Sequence, residues 1–575
     1  MGEGAGRDET DRRGFLKRVG STTAAGGLAT ALAEREIAGA VRASTVTDRS
    51  VFAVDAEADP AATYPQSIAS GGPTPSGVIL WTRVAPAAHV ADEPLGVQVA
   101  TDESFENVVY EGTVAPDRLD PVHDYTVRVD LDGELAADTR YHYRFVYDGT
   151  ASRTGRCRTL PAPDASPDEV SVAVLTCQDY QNGYYGAYHH VAEEDVDFVV
   201  HLGDFIYESA DGQWVQSLRG IREGRELSLP SGADLAETLA DFRYLYRQYR
   251  GDSLLQEGLR NHTVIHGWDD HEIGNDRYWD SAAGAPVLPD KERGDDPEFA
   301  TTVTADGIQA WIEYVPARVA YDPSASHIHE QLQLWRDLQF GDLVDLSVTD
   351  ERLYRDGPPC DGERLTFCDE EEAPDRTMLG SEQKSYFEEW IRGSEAVWTV
   401  WANEVMTMPL TVGEDWYSLE LVLDSWDGYQ YERWELLQLL SAADPRNFVT
   451  LTGDLHASMA GYLMDGYGQI DWQWGYDRVG VEFMTPSVTS RKLVYSTDLP
   501  SAVDDELVAS LVESQNDHLE FVNWQQHGYA VVEFTREDAT CTIYAVDKEV
   551  DAADAEREVL ATYRTPDGET ELEEL

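Results

Sequence analysis

Four short clusters gather the residue types that bind cations and move protons. They are Leu175-Thr176-Cys177-Gln178, His201-Leu202-Gly203-Asp204-Phe205-Ile206-Tyr207-Glu208, Gly267-Trp268-Asp269-Asp270-His271-Glu272 and Thr452-Gly453-Asp454-Leu455-His456-Ala457. A dinuclear hydrolytic site requires a carboxylate that bridges two cations, further oxygen or nitrogen ligands for each, and a proton donor for the leaving group. Asp204, closing an apolar run, suits the bridge, and Tyr207 is placed to return its phenolate to the same cation three residues later. A phenolate together with the Cys177 thiolate favours a trivalent, Lewis-acidic iron over magnesium. Asp454 and His456 stand two apart, on the same side of an extended backbone, within reach of both cations. Taken singly, each residue has a plainer explanation: Cys177 as a small buried hydrophobe, Tyr207 as a core tyrosine, Asp204 as a cap. His189, His190, His201 and His266 are read as structural. The four clusters in this order, taken together, outweigh those readings.

Positioning such residues is the work of strand ends. From about Phe52 to Pro163 short alternating strands with turns between them (78–82, 96–99, 125–129 and 141–145) read as a small β-sandwich. The proline-rich stretch at 160–164 then reads as a linker. Beyond it, apolar runs at 170–175, 197–202, 263–267, 397–401, 447–451 and 480–484 alternate with helical segments, and most end in Asp, His, Asn or Cys. Continuous apolar runs of this length are buried strands, so the pattern is that of an α/β layered enzyme that collects remote residues at its strand ends. Helices are expected at 235–249, at 381–391 with Ser381 as N-cap, and at 431–441. The loops at 228–232, 282–298 and 358–374 are irregular and turn-rich.

With these clusters, the segments Ser67-Ile68-Ala69-Ser70-Gly71, Val78-Ile79-Leu80-Trp81-Thr82-Arg83, Asp350-Glu351-Arg352-Leu353-Tyr354-Arg355 and Asp424-Ser425-Trp426-Asp427-Gly428-Tyr429 extend the pattern over most of the chain. In that combination the chain resembles the PhoD-type alkaline phosphatases and phosphodiesterases of the calcineurin-like metallophosphoesterase superfamily. The resemblance implies an α/β fold: an N-terminal, fibronectin-III-like β-sandwich at 52–163, then a metallophosphoesterase domain at 168–548 with two packed mixed β-sheets flanked by helices. It implies Fe3+ held by Cys177, Asp204, Tyr207 and His456, and Ca2+ held by the bridging Asp204 with Asp270 and Asp454. Asn403, after the 397–401 strand, is a further candidate ligand, and Arg352 and Arg355 are candidate phosphate contacts. His271, beside Asp270, is the candidate general acid for the leaving alkoxide or donor to the phosphoryl oxygen. The implied reaction is in-line attack on phosphorus by a hydroxide held between the cations, without a covalent enzyme intermediate. The implied substrates are small-molecule, lipid or polymer phosphate esters. Two alternatives stand beside this reading: a phospholipase-D-like phosphodiesterase on the same scaffold, and a non-catalytic calcium-binding cell-surface protein, which would need neither Cys177 nor Tyr207.

Composition narrows the setting. The 575 residues include 108 acidic and 43 basic side chains, a formal charge of −65, with the acidic excess spread along the chain. Five of the basic residues are lysines. A field of that sign sets nucleic acid and anionic lipid aside as partners. Dispersed acid with little lysine reads as a halophilic surface, kept hydrated where concentrated salt screens its self-repulsion. At the N-terminus, Arg12-Arg13-Gly14-Phe15-Leu16-Lys17 precedes a weakly apolar, small-residue stretch at 19–33, the pattern of a twin-arginine export signal in residues 1–43. That address implies the twin-arginine machinery as a partner and an extracellular or cell-surface location. The stretch is too short for a transmembrane anchor, which needs about 20 apolar residues. Cys360 and Cys368, eight apart in a polar stretch, suit a local disulfide, whereas Cys157 and Cys541 are open to being free thiols or a pair. Residues 549–575 read as an acidic tail.

Overall fold

A run of Val, Ile and Leu without polar alternation has no face to offer water, so it is stable only between two layers. The computed structural model describes residues 40–215, 220–362, 370–412, 419–420, 423–468, 470, 475–491, 510 and 512–575. In it the apolar runs form two large mixed sheets. The first has eleven strands, with Glu169–Leu175, Phe198–His201 and Thr263–His266 parallel at its centre. The second has seven, with Trp398–Ala402, Phe448–Thr452 and Arg478–Met484 parallel at its centre. One core joins them: Val172, Val174 and Val200 from the first sheet pack in the same apolar cluster as Val400, Leu451 and Phe483 from the second. The Trp398 indole donates to the Thr535 carbonyl at 2.6 Å across the layers.

Helices close the outer faces. Leu239–Tyr249 starts on a capping box, in which the Thr238 hydroxyl accepts from the Asp241 amide and the Asp241 carboxylate returns the bond. Gly380–Gly393 does not begin at Ser381, which lies inside it. Leu379 is the cap residue, and the Glu432 carboxylate accepts from the Met378 and Leu379 amides at its start. Gln430–Ala443 follows the expected third helix.

The N-terminal strands depart from the expected separation. Leu95–Ala100, Val108–Val114 and Arg140–Tyr147 form part of a six-stranded sheet. Ile68–Thr74, Gly77–Arg83 and Thr126–Asp130 instead continue the eleven-stranded sheet, with Ser70 and Gly71 registered against Thr263 and Val264. Both sets share an apolar core that includes Leu80, Val97, Val129 and Phe145. The layer that contains Ile68–Thr74 is thus continuous with the central sheet through backbone hydrogen bonds, and the six-stranded layer packs against it. Gly71 permits the junction, since a Cβ there would stand 2.6 Å from the Pro316 carbonyl oxygen and 2.7 Å from that of Val264.

The acidic tail is also corrected. Arg557–Pro566 is a ten-residue strand paired along Asp538–Val546, and Glu573–Glu574 pairs with it in turn. Cys157 and Cys541 are buried free thiols, and Cys360 is disulfide-bonded. Its expected partner Cys368 and the twin-arginine stretch lie outside the described residues. Among the described residues no helix is long and apolar enough to cross a membrane.

Candidate functional site

Parallel pairing in register delivers neighbouring strand ends to one place. Leu175 faces His201, and His201 faces His266, so the segments that follow emerge together at the carboxyl edge. Gly203 lets two of them touch: its φ is 144°, and a Cβ there would stand 2.4 Å from the Asp269 amide nitrogen. The Glu272 carboxylate then ties the loops, accepting from the amides of Asp204, Phe205 and Asp269 at 3.1, 2.7 and 2.8 Å. From the second sheet, Phe448–Thr452 ends directly before the Asp454 turn.

The first group formed this way is Cys177, Asp204 and His456, whose ligand atoms all lie within 4.8 Å of one another. Tyr207 completes it: its hydroxyl donates to Asp204 at 2.6 Å and is 3.1 Å from His456 Nε2. Cys177, Asp204, Asp454 and His456 have φ of 54°, 56°, 64° and 56°. The left-handed region costs an L-residue about 1–2 kcal/mol, and such outliers concentrate at functional sites. Burial, reinforced by the neighbouring carboxylates, pushes the Asp204 carboxyl, the Cys177 thiol and the Tyr207 phenol well above their usual ranges.

The second group is Asp269, Asp270 and Asp454, linked to the first through a third, Asp204, Asp270 and His271. Asp270 also belongs to a fourth with Asp276 and Asp424. Asp270 Oδ2 accepts from the Asp276 amide at 2.7 Å, whereas Oδ1 and Asp269 Oδ2 are buried with no hydrogen-bond partner. Burial and the adjacent Asp424 push the Asp276 carboxyl up to about 8. A buried carboxylate oxygen left without a donor is costly unless a cation faces it.

His271 is held from three sides. Its Nδ1 lies 2.7 Å from the fully buried Glu208 carboxylate, its ring stacks on Tyr207 at 4.0 Å, and Trp214 meets it edge-on at 5.0 Å. Burial alone would lower its pKa, but Glu208, Asp204 and Asp270 outweigh burial and hold the imidazole well above its usual range.

Arg352, Arg355 and Asn403 all have protein partners. Arg352 is fully buried, donating through Nε to Asp269 and through Nη2 to Asp454 at 2.7 Å, with Nη1 3.5 Å from Asp424. Arg355 is buried on the Arg277 carbonyl at 2.9 Å and the Asp424 carbonyl. Both guanidinium groups thus donate to protein acceptors. Arg352 acts as the internal countercharge of the acidic group. The Asn403 side chain donates to Thr407 at 2.8 Å and accepts from the Val405 amide at 3.2 Å. Conversely, Glu208, Asp269 and Glu272 lie inside the clusters read in the sequence, and nothing local distinguished them from their acidic neighbours. Asp276 and Ser490 carried no separate sequence signal, and Asp424 stood only inside the 424–429 segment of the resemblance.

The donors present fit cations. The first group offers sulfur, phenol oxygen, imidazole nitrogen and carboxylate, a mixed set suited to a transition metal, and the second offers carboxylates alone, a set suited to a hard cation. Asp204 belongs to the first and reaches the second through Asp270, with which it also stands beside His271, and the two orphaned carboxylate oxygens lie on the second.

Comparison with known proteins agrees with this geometry. The family model described as PhoD-like phosphatase matches residues 172–543, and that of the PhoD-like phosphatase N-terminal domain matches residues 50–161. Alkaline phosphatase D of Bacillus subtilis (strain 168) is 31% identical over 520 residues, spanning 89% of this chain and 80% of that protein. A solved structure of PhoD superposes with a TM-score of 0.77 at 28% identity, covering 90% of this chain and 93% of that one. With the strand-end clusters inside the matched span, the chain belongs to the PhoD-like phosphatase family and is a phosphoric ester hydrolase.

Proposed function

We propose that the protein is an exported, metal-dependent hydrolase of phosphate monoesters and diesters. Cys177, Asp204, Tyr207 and His456 would hold a ferric ion, and Asp204 with Asp270 and Asp454 a calcium ion. The observation that carries this reading is a single carboxylate, Asp204, which stands with Cys177 and His456 on one side and with Asp270 on the other, Asp270 in turn belonging to the carboxylate group with Asp269 and Asp454. When bound, the cations supply Lewis acidity and a water made nucleophilic near neutral pH.

The chain's own residues do the rest. Glu208 fixes the His271 ring through Nδ1 and favours its protonated form, so Nε2 carries the proton that passes to the leaving alkoxide. Tyr207 and Trp214 wall that ring and keep it from turning. Arg352 balances the acidic group from within, which limits the mutual repulsion of Asp269, Asp424 and Asp454 while the site is being assembled. Export by the twin-arginine route rests on Arg12-Arg13-Gly14-Phe15-Leu16-Lys17. The test is hydrolysis of a nitrophenyl phosphodiester and its monoester by purified protein with iron and calcium quantified in the same sample. Turnover with both metals bound supports the assignment, and an active enzyme free of iron refutes the ferric half of it.

A further inference from the structure

Behind the first group runs a segment that carries none of its ligands, residues 485–491. It follows the strand Arg478–Met484 and crosses the back of Cys177, Tyr207 and His456. The amides of Thr489 and Ser490 approach the Cys177 carbonyl at 3.2 and 3.3 Å, and the Val488 amide donates to the Thr176 carbonyl at 3.0 Å. The Ser490 hydroxyl donates to the Tyr207 phenol oxygen at 2.6 Å and lies 2.8 Å from the Cys177 carbonyl oxygen. One residue on, the Arg491 carbonyl accepts from His456 Nδ1. A carbonyl can only accept, so the His456 proton sits on Nδ1 and Nε2 turns its lone pair toward the group.

The segment is itself anchored from the far side. The Lys548 ammonium, on a side chain only 5% exposed, donates to the Thr489 carbonyl at 2.6 Å and lies 3.4 Å from the Ser490 carbonyl. His527 Nε2 meets the Ser490 carbonyl at 2.8 Å, and the Asn182 amide donates to the Thr489 carbonyl at 2.8 Å. A lysine buried on backbone carbonyls is unusual in any chain, and this one has five lysines in all.

We infer that residues 485–491 are a positioning clasp for the metal group, in which Ser490 acts through Tyr207, the Arg491 carbonyl acts through His456, and Lys548 locks the clasp from behind. The inference rests on the reading that Cys177, Tyr207 and His456 bind a metal. The three are positioning residues, assigned a role through the ligands. Their effect is to fix ring orientation, tautomer and donor strength, and the loss of such outer partners weakens metal affinity by about 10- to 100-fold.

The experiment uses the full-length holoenzyme with Ser490→Ala, Ser490→Thr and Lys548→Met. It reads visible absorption and the rate at which bound metal is lost to excess EDTA, with thermal unfolding recorded on the same samples. Ser490→Ala is expected to move the phenolate band to longer wavelength, because an oxygen with one hydrogen bond fewer gives up an electron more readily, and to release metal about 10-fold faster or more. Ser490→Thr restores both, and Lys548→Met releases metal faster although it lies outside the ligand set. Wild-type protein that binds no metal overturns the metal reading and the clasp with it. Wild-type protein that binds metal, with variants matching it in spectrum and release rate, overturns the clasp alone. A variant that melts early but keeps the wild-type spectrum and release rate would make the segment merely structural and also counts against the inference.

Discussion

A thiolate and a phenolate on one ferric ion absorb visible light, so the most exposed claim at the residue scale concerns colour. Tyr207→Phe removes the phenol oxygen that bridges Asp204, His456 and Ser490, and the band is expected to shift or bleach. An unchanged visible spectrum in that variant would remove Tyr207 from the metal. His271 and Asp270, adjacent in sequence, should fail differently. Asp270→Ala is expected to lower metal occupancy. His271→Ala keeps its metals but slows turnover about 10²- to 10⁴-fold, more on alkyl than on nitrophenyl esters, whose leaving group needs little protonation. Measuring kcat on both ester classes with metal content alongside checks this. Equal losses on both would make His271 a stabiliser of charge instead of an acid. The sequence showed Cys177, Asp204, Tyr207, Asp270, His271, Asp454 and His456 because each closes an apolar run in a cluster dense in ligand types. The ion pairs of Arg352 were not legible because its partners Asp269, Asp424 and Asp454 lie 72 to 102 residues away, and a buried countercharge has no local signature.

At the scale of elements, apolar runs made the central strands legible to within two residues. Registration between strands was not legible, because it depends on partners remote in sequence. The strand Ile68–Thr74 looks like a sandwich strand by its own pattern, and only its pairing with Thr263–His266 assigns it to the central sheet. Charge hid the last long strand: Ala561, Tyr563 and Thr565 alternate inward on Arg557–Pro566, but acidic residues on either side gave the segment the look of a tail. Truncation after Asp554 tests the difference. Removing that strand bares the edge of Asp538–Val546, and an exposed edge invites aggregation, so the truncated protein is expected to be insoluble or to melt well below the intact chain. Thermal unfolding that matches the full-length protein would return the segment to the status of a dispensable tail.

At the scale of the whole molecule, buried ion pairs do not relieve the −65 formal charge, since each takes one arginine and one acid out of the surface and leaves the net unchanged. Arg352 on Asp269, Arg433 on Asp427 and Arg225 on Asp252 are all nearly inaccessible. Self-repulsion should therefore grow as the Debye length lengthens from about 3 Å at 1 M toward about 30 Å at 0.01 M salt. The melting temperature is expected to fall steadily on dilution from about 3 M to about 0.1 M sodium chloride, and a midpoint that holds constant would contradict a salt-adapted surface. The central claim, that Asp204 joins two cation groups into one hydrolytic site, is tested most directly by a single titration: strip the intact protein with chelator, restore iron and calcium stepwise, and measure nitrophenyl phosphodiester hydrolysis against metal bound. Turnover is expected to vanish on stripping and to return only when both metals are present. Full turnover in the stripped protein would contradict it.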